Sequence, residues 1–174
     1  MEPWQRAEVP GPVKAQLLTK PEVVSALLKR AKRPLLVVGT GVLEEGGRAL
    51  DYVIRIAKAG KVPVVATAHT AVELKKRGFQ PAARMAAVEI CSRLTDPGWS
   101  LQGDGQPHDL VLILGLGPYY MEWLMESGLK SFAPHLRTIS LNRFYQPHCS
   151  WSFPNLSEEE WYKNLERIAE ELER

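Results

Sequence analysis

Cysteine is scarce in this sequence of 174 residues: only Cys91 and Cys149 occur, and there is no Cys-x-x-Cys motif. A structural zinc site or an iron–sulfur cluster held by one chain usually needs four ligands, most of them thiolates. The sequence therefore excludes both kinds of self-contained metal centre, and we expect this chain to bind no metal. Cys91 lies in an apolar helical stretch and is predicted to be a small core residue. The sequence assigns no role to the adjacent His148 and Cys149.

Long apolar runs and a strong net charge are also absent. No run approaches the roughly 18 apolar residues of a transmembrane helix. The first twenty residues contain three prolines and lack the apolar segment of a secretory signal. The 22 basic residues nearly balance the 20 acidic ones, which leaves a net charge of +2, too small for a nucleic-acid-binding footprint. We therefore expect a cytoplasmic protein with neither a membrane nor a nucleic acid as its partner.

Three common catalytic motifs are missing as well. The sequence has no Gly-x-Ser-x-Gly elbow, no His-Glu-x-x-His pair and no Gly-x-x-x-x-Gly-Lys-Ser loop. His69 follows a predicted strand and is the best candidate for a general base, but no nucleophile or carboxylate partner is identifiable. The alternative is that its imidazole caps the next helix or binds loop backbone. The sequence predicts no catalytic residues.

Strands and helices alternate along most of the chain. Short apolar runs predict strands over 35–39, 62–66, 110–115 and 137–141. Helical spacing predicts helices at 21–33, over about fifteen residues ending near Gly60, at 70–77, 82–94 and 119–127, and from a capping box at Ser157 onwards. This alternation predicts an α/β fold, a doubly wound and mostly parallel sheet with helices on both faces. Residues 1–20 are predicted to be an extended Pro-rich arm, and residues 21–174 a single Rossmann-like domain.

The candidate cofactor site follows from the strand ends, because ligands of such sheets bind beyond the carboxyl ends of the strands. Two of these ends carry Gly-x-Gly, which allows a phosphate to approach the backbone closely. The alternative is a pair of tight turns without a ligand. Glu44 stands where a dinucleotide fingerprint has its third glycine, and with Glu45 it would repel a pyrophosphate from the first turn of the next helix. The candidate residues are Gly39, Thr40, Gly41, His69, Thr70, Gly115, Gly117 and Tyr119.

Aromatic residues outside the predicted elements suggest contacts with another protein. Trp4 lies on the predicted arm without a local partner. The segment 143–151 carries Phe144, Tyr145 and Trp151, and we expect it to be exposed. Aromatic side chains are the usual anchors of protein interfaces. Arg143 and His148 are candidates to contact either a phosphate or a carboxylate of a partner.

Four segments together resemble one known family. They are residues 29–39 (KRAKRPLLVVG), 66–70 (ATAHT), 94–99 (LTDPGW) and 153–161 (FPNLSEEEW). Their order and the chain length are similar to the epsilon subunits of the archaeal acetyl-CoA decarbonylase/synthase complex. The resemblance implies the NAD/FAD-binding type of fold seen in deoxyhypusine synthase. It also implies a hetero-oligomer with the carbon monoxide dehydrogenase alpha subunit, in which the small subunit stabilises alpha and assists electron transfer to FAD. The family brings no catalytic residues to carry over.

Three functions remain open at this point. The first is a non-catalytic subunit that docks on the alpha subunit, which agrees with the lack of metal ligands. The second is a free-standing module that binds FAD or NAD across the two glycine pairs. The third is a nucleotide-dependent enzyme that uses His69. Self-association of the isolated chain is a further expectation, because exposed aromatic residues without a partner favour it.

Overall fold

Wholly apolar strands form the centre of a parallel sheet, as the runs of Leu, Ile and Val predict. The computed structural model describes residues 14–174, and within them seven strands are found. They are β1 (Gln16–Leu17), β2 (Pro34–Val38), β3 (Val64–Ala66), β4 (Ala83–Arg84), β5 (Leu110–Leu114), β6 (Arg137–Ser140) and β7 (Trp151–Ser152). The order is β1-β7-β6-β5-β2-β3-β4, and every neighbouring pair is parallel.

Six α-helices among the described residues connect these strands. They are α1 (Glu22–Arg30), α2 (Arg48–Ala59), α3 (Ala68–Lys76), α4 (Ala87–Leu94), α5 (Tyr119–Phe132) and α6 (Glu158–Glu173). The predicted capping box of α6 is confirmed, because the Ser157 hydroxyl accepts from the Glu160 amide at 3.3 Å and the Glu160 carboxylate accepts from the Ser157 amide at 3.1 Å. Basic residues stand in the last turns of α1 (Lys29 and Arg30) and α3 (Lys75 and Lys76), where cations complement the helix dipole.

The two faces of the sheet have separate cores, which confirms helices on both faces. Alternate residues of a strand point to opposite faces. Leu36 and Val38 of β2 therefore pack in one core with α1, α2, α3 and α6. Leu35 and Val37 pack in the other core with α4 and α5. All the residues of β5 are buried, so the central strands are covered on both sides.

Two elements differ from their predictions. The predicted helix 82–94 is in fact the edge strand β4 followed by the shorter helix α4, because Ala83 and Arg84 pair with Val65 and Ala66 of β3. The helix predicted after Gly41 begins only at Arg48, since two 3₁₀ turns, Thr40–Leu43 and Glu45–Gly47, come first. Glu44 and Glu45 therefore lie before that helix, although they were predicted to lie in its first turn.

Three two-residue strands were missed, and one of them belongs to the predicted arm. Gln16 and Leu17 form β1, which pairs with Trp151 and Ser152 of β7 at the edge of the sheet. The final residues of the predicted arm thus take part in the sheet. Trp4 lies outside the described residues.

The prediction that segment 143–151 is exposed is wrong. Tyr145 is 4% exposed and Cys149 is 3% exposed. The Tyr145 hydroxyl donates to the Ala15 carbonyl at 2.8 Å, and the Ala15 amide donates to the Pro147 carbonyl at 3.0 Å. The segment is packed because it leads into β7, which pairs with both β6 and β1. Tyr145 is therefore not free to anchor a partner, whereas Phe144 and Trp151 remain partly exposed.

Candidate functional site

A cleft of about 240 Å³ lies where β2 and β5 run side by side, beyond their carboxyl ends. The chain leaves these two strands towards opposite edges of the sheet, and this is the topological switch point at which α/β folds bind ligands. Gly41, Gly115, Gly117 and Tyr119 line the cleft, so the structure brings these four predicted residues together.

The other four predicted residues lie elsewhere. Thr40 and His69 border a separate, open groove beside α3. Gly39 and Thr70 are buried, and neither lines the cleft or the groove. His69 is exposed in the first turn of α3 rather than at a strand end, and its imidazole has no hydrogen-bond partner within residues 14–174. The eight residues therefore do not form one site.

The glycines bring the backbones of β2 and β5 into contact with each other. A Cβ atom on Gly39 would lie 2.2 Å from the Gly115 carbonyl oxygen, and one on Gly41 would lie 3.0 Å from the Gly115 Cα. Gly115 itself has φ +73°, a conformation that glycine adopts without strain. Close packing between two strand ends thus explains these glycines without a ligand.

The four glycine amides of the two Gly-x-Gly turns are already engaged in hydrogen bonds. Gly39 donates to the Leu114 carbonyl, and both Gly41 and Gly117 donate to the Gly115 carbonyl, each at 2.9 Å. Gly115 donates to the side-chain oxygen of Asn142 at 2.8 Å. A pyrophosphate at a glycine-rich turn needs free amide donors. The glycines of these turns therefore do not fit the pyrophosphate of FAD or NAD.

The rim of the cleft is acidic. Glu44, Glu45 and Glu158 border it, and Arg143 is the single Lys or Arg among the described residues that line it. Arg143 reaches Glu158 only at 4.0 Å. A hydrogen bond with Glu158, together with burial and repulsion between the two carboxylates, raises the pKa of Glu45. Such a rim repels phosphate and attracts cations.

The floor of the cleft contains a buried carboxyl group, Glu122 of α5. Its Oε1 accepts from the Ser140 hydroxyl at 3.0 Å and from the Asn142 amide at 2.5 Å. Burial raises the pKa of Glu122 to about 7, although these two hydrogen bonds favour the charged form. Because Asn142 also binds the Gly115 amide, Glu122 holds the turn after β5 in place.

A group of buried polar atoms behind the cleft lacks hydrogen-bond partners in the described part of the chain. The atoms are Trp123 Nε1, Glu126 Oε1 and Oε2, Gln146 Oε1 and His148 Nε2. Burial and the nearby Glu122 raise the pKa of Glu126 well above its usual range. Burial thus favours the neutral form of Glu126, since a carboxylate is poorly solvated inside the protein.

The two thiols are not activated as nucleophiles. Burial raises the pKa of Cys149 well above its usual range and that of Cys91 to about 12. Cys149 Sγ contacts the carbonyl oxygens of Gln146 and Trp151, at 3.0 and 2.8 Å. The imidazole of His148 packs edge-on against Trp123, with 4.8 Å between ring centroids. Cys91 packs against the core beneath α4, as predicted.

Sequence reasoning missed several residues of the cleft, among them the polar Glu122, Gln146 and Glu158. A signal for Glu122 was present, because Glu122, Glu126 and Leu129 recur at spacings of four and three and so share one face of α5. Gln146 and Glu158 gave no such signal, since they come to the cleft through the irregular path of 141–157.

Within residues 14–174, no group of three or more His, Cys, Asp and Glu side chains is arranged to hold a metal ion. No helix in this part of the chain has the length and apolar character needed to cross a bilayer.

Comparisons with known proteins give a consistent result. Residues 1–169 match the family described as CO dehydrogenase beta subunit/acetyl-CoA synthase epsilon subunit. The chain is 38% identical to the acetyl-CoA decarbonylase/synthase complex subunit epsilon of Methanothermobacter thermautotrophicus, over 97% of this chain and 95% of the relative. It is 36% identical to subunit epsilon 1 of that complex from Archaeoglobus fulgidus, over 88% and 83% of the two chains. The Methanocaldococcus jannaschii subunit epsilon is 29% identical, over 88% and 86%.

Proposed function

The chain belongs to the family of CO dehydrogenase beta subunits and acetyl-CoA synthase epsilon subunits, and from this we propose that it is a non-catalytic small subunit of an acetyl-CoA decarbonylase/synthase complex. In this role it associates with the carbon monoxide dehydrogenase alpha subunit and stabilises it. The observation that carries the proposal is the reversed polarity of helix α5.

Helix α5 buries both of its acidic residues beside Leu129 and exposes three of its large apolar side chains. Glu122 and Glu126 are 2% and 0% exposed. Tyr120, Leu124 and Phe132 are 59%, 51% and 71% exposed. A surface helix normally has the opposite arrangement, because burying a carboxyl costs free energy and exposing apolar area forgoes the hydrophobic effect.

The stripe of α5 that carries Tyr120 and Leu124 is also uncharged, whereas the exposed Lys130 lies to one side of it. Tyr120, Leu124, Ser127 and Ser131 recur at spacings of four, three and four, so they lie on one side of the helix. The neighbouring helix α4 packs beside α5 and exposes Val88 at 62%. Charged residues are depleted and aromatic residues enriched at the cores of protein interfaces. This face therefore suits an uncharged surface of the large subunit in the family's complex.

Substitution of Leu124 by glutamate tests this docking face. The variant places an unpaired charge in the contact, which typically costs 2 kcal/mol or more. We therefore expect affinity for the co-expressed alpha subunit to fall about 30-fold or more. Val23→Glu is the matched control, because Val23 is 40% exposed in the first turn of α1, on another helix layer. Equal co-purification of both variants with alpha would refute the docking face.

The arm is tested separately by deleting residues 1–13. This deletion removes Trp4 and leaves β1 intact, so the edge of the sheet keeps its pairing with β7. Loss of co-purification with alpha is the expected result if the arm is a second anchor. Retention of full affinity would restrict the contact to the folded domain.

Stabilisation of alpha is measured by its thermal unfolding with and without this chain. A partner that binds only the folded form raises the unfolding temperature in a concentration-dependent way. An unchanged temperature at saturating concentration would rule out a stabilising role. Assistance with electron transfer to FAD, which the family resemblance implies, stays a prediction. The glycine turns of the cleft do not favour FAD binding, because their glycine amides already donate hydrogen bonds within the protein.

A further inference from the structure

We propose that α5 is a proton-dependent docking helix, which lies against the sheet only while Glu122 and Glu126 hold protons. Loss of these protons frees the helix from the sheet and withdraws its exposed stripe from the partner subunit. The release of α5 is a property of this chain alone, whereas its effect on the partner rests on the docking face proposed above.

Two of the three buried side chains of α5 are carboxyl groups. Glu122 and Glu126 are 2% and 0% exposed, and the third buried residue is Leu129. Met125 is only partly buried where it packs against the same core. A surface helix is normally held by a broad apolar stripe, and Leu129 with Met125 is a narrow one. The attachment of α5 therefore depends on the charge of its two carboxyl groups.

No cation among the described residues compensates these two carboxyl groups. None of the ion pairs found there involves Glu122 or Glu126. Glu122 accepts from two neutral donors, the Ser140 hydroxyl and the Asn142 amide, and neither oxygen of Glu126 has a donor in this part of the chain. The two residues stand four apart, so their side chains are neighbours on one face of the helix. Two adjacent negative charges without a partner are unstable in the interior, so the closed helix requires protons.

The titratable groups that pack around α5 in the interior favour their neutral forms. They are Cys91 of α4, and Tyr145, His148 and Cys149 of the segment before β7. Burial raises the pKa of both thiols and that of Tyr145, and it lowers the pKa of His148. The negative charges of Glu126 and Glu122 are a further cause of the raised pKa of both thiols. These groups therefore supply no positive charge to the pair near pH 7.

The charged residues around α5 interact with groups other than the two carboxyls or lie at the surface. They are Glu89 and Arg93 of α4, Lys130 of α5, Arg137 of β6, and Glu44, Glu45, Arg143 and Glu158 on the rim of the cleft. Arg93 pairs with Glu89, and Arg137 lies over the Trp151 ring at 5.7 Å. Arg143 reaches Glu158 at 4.0 Å, and Arg48 is also attracted to Glu158. Lys130 is exposed. The pair is thus left without a countercharge.

The direction of the pH dependence follows from this environment. Burial raises the pKa of Glu122 to about 7 and that of Glu126 well above its usual range. On an opened helix the same groups are in water and titrate near 4.5. The closed form therefore binds more protons, so its stabilisation is fully present below pH 4.5 and is lost as pH rises through 7. Within this window each pH unit shifts the opening equilibrium by up to about tenfold per proton.

Hydrogen–deuterium exchange of the full-length chain between pH 5 and pH 8.5 tests the release of α5. After correction for the intrinsic pH dependence of exchange, opening of the α5 amides should increase at least about 10-fold. Amides of α6, which buries Leu165, Ile168 and Leu172, should change less than about 3-fold. The double substitution Glu122→Gln and Glu126→Gln should abolish the increase in α5. Glu89→Gln is the matched control and should retain it, because Glu89 is an exposed acid of the neighbouring α4.

Infrared spectroscopy detects the protons directly and does not require the double variant. A protonated carboxyl absorbs apart from a carboxylate, so the natural chain should show a protonated band at pH 6 that weakens by pH 8.5. Glu126→Gln should remove part of this band. The absence of a protonated carboxyl band at pH 6 would overturn the proposal, as would opening of α5 that does not vary with pH.

Binding to the alpha subunit tests the effect on docking. Affinity falls with the fraction of chains in which α5 is closed, and we expect it to fall at least about 3-fold from pH 6 to pH 8.5 for the natural chain but not for the double variant. Comparison of the two chains cancels the pH dependence of alpha itself. Opening of α5 that depends on pH, with equal affinity of both chains at every pH, would refute docking through α5 and with it the coupling. Opening that does not depend on pH would overturn the role of the protons and leave the docking face as it stands.

Discussion

Replacing Glu122 with glutamine tests whether the carboxyl on the floor of the cleft holds a proton in the folded chain. Glutamine keeps the oxygen that accepts from Ser140 and Asn142 at 3.0 and 2.5 Å, and it removes the ionisable group. The side chain is 2% exposed, so its charged form is poorly solvated. The variant therefore separates the hydrogen bonds from the charge.

The magnitude follows from the raised pKa. The carboxyl titrates near 4.5 in the unfolded chain and at about 7 in the fold, so the folded state binds more protons between these values. The free energy of unfolding must then fall as pH rises through this window, and the contribution of Glu122 to it is fully present only below pH 4.5. A pKa raised from 4.5 to about 7 corresponds to about 3 kcal/mol in total. Most of this loss, about 2 to 3 kcal/mol, falls between pH 5 and pH 8.

Urea unfolding at pH 5, 6, 7 and 8 measures the effect. We expect the unfolding free energy of Glu122→Gln, relative to the natural chain, to increase by about 2 to 3 kcal/mol from pH 5 to pH 8. Glu159→Gln is the control, since the Glu159 side chain is 80% exposed, and its effect should stay within about 0.5 kcal/mol at every pH. If the difference in unfolding free energy between Glu122→Gln and the natural chain does not vary with pH, Glu122 is not protonated in the fold.

Two pairs of substitutions test the local structure. Gly39→Ala places a Cβ 2.2 Å from the Gly115 carbonyl oxygen and should destabilise the chain by about 3 kcal/mol in urea unfolding. Gly128→Ala should stabilise the chain by about 0.5–1 kcal/mol, because Gly128 lies in the middle of α5 and a Cβ there meets nothing within 4 Å. Equal effects of Gly39→Ala and Gly128→Ala on the free energy of unfolding would refute the close contact of β2 and β5. Ser157→Ala removes the capping box of α6 and should lower the unfolding temperature in line with a loss of about 1 kcal/mol, whereas Ser157→Thr should restore most of it.

Much of the fold was predictable because its main elements have strong local patterns. The central strands are runs of Leu, Ile and Val, and such runs are typical of parallel strands that are buried on both faces. Helix α6 has both an apolar stripe and a capping box. Both patterns depend on residues near one another in the chain, so no knowledge of the tertiary structure is required.

The edge strands and the path of segment 143–151 were not predictable in this way. β1, β4 and β7 are two residues long, and each exists because a neighbouring strand supplies its hydrogen bonds. Segment 143–151 has the composition of an exposed loop, but pairing of β7 between β6 and β1 draws it into the protein.

The sequence by itself determined that glycines follow β2 and β5, that acids follow the first pair, and that the two cysteines do not form a Cys-x-x-Cys motif. The tertiary structure alone decided what the glycines contact. Their neighbour is the opposite strand end, with Gly39 against Gly115, and their amides are used within the protein. It also decided that Glu122, Gln146 and Glu158 meet at one cleft, because the parallel crossovers bring distant residues to the same end of the sheet.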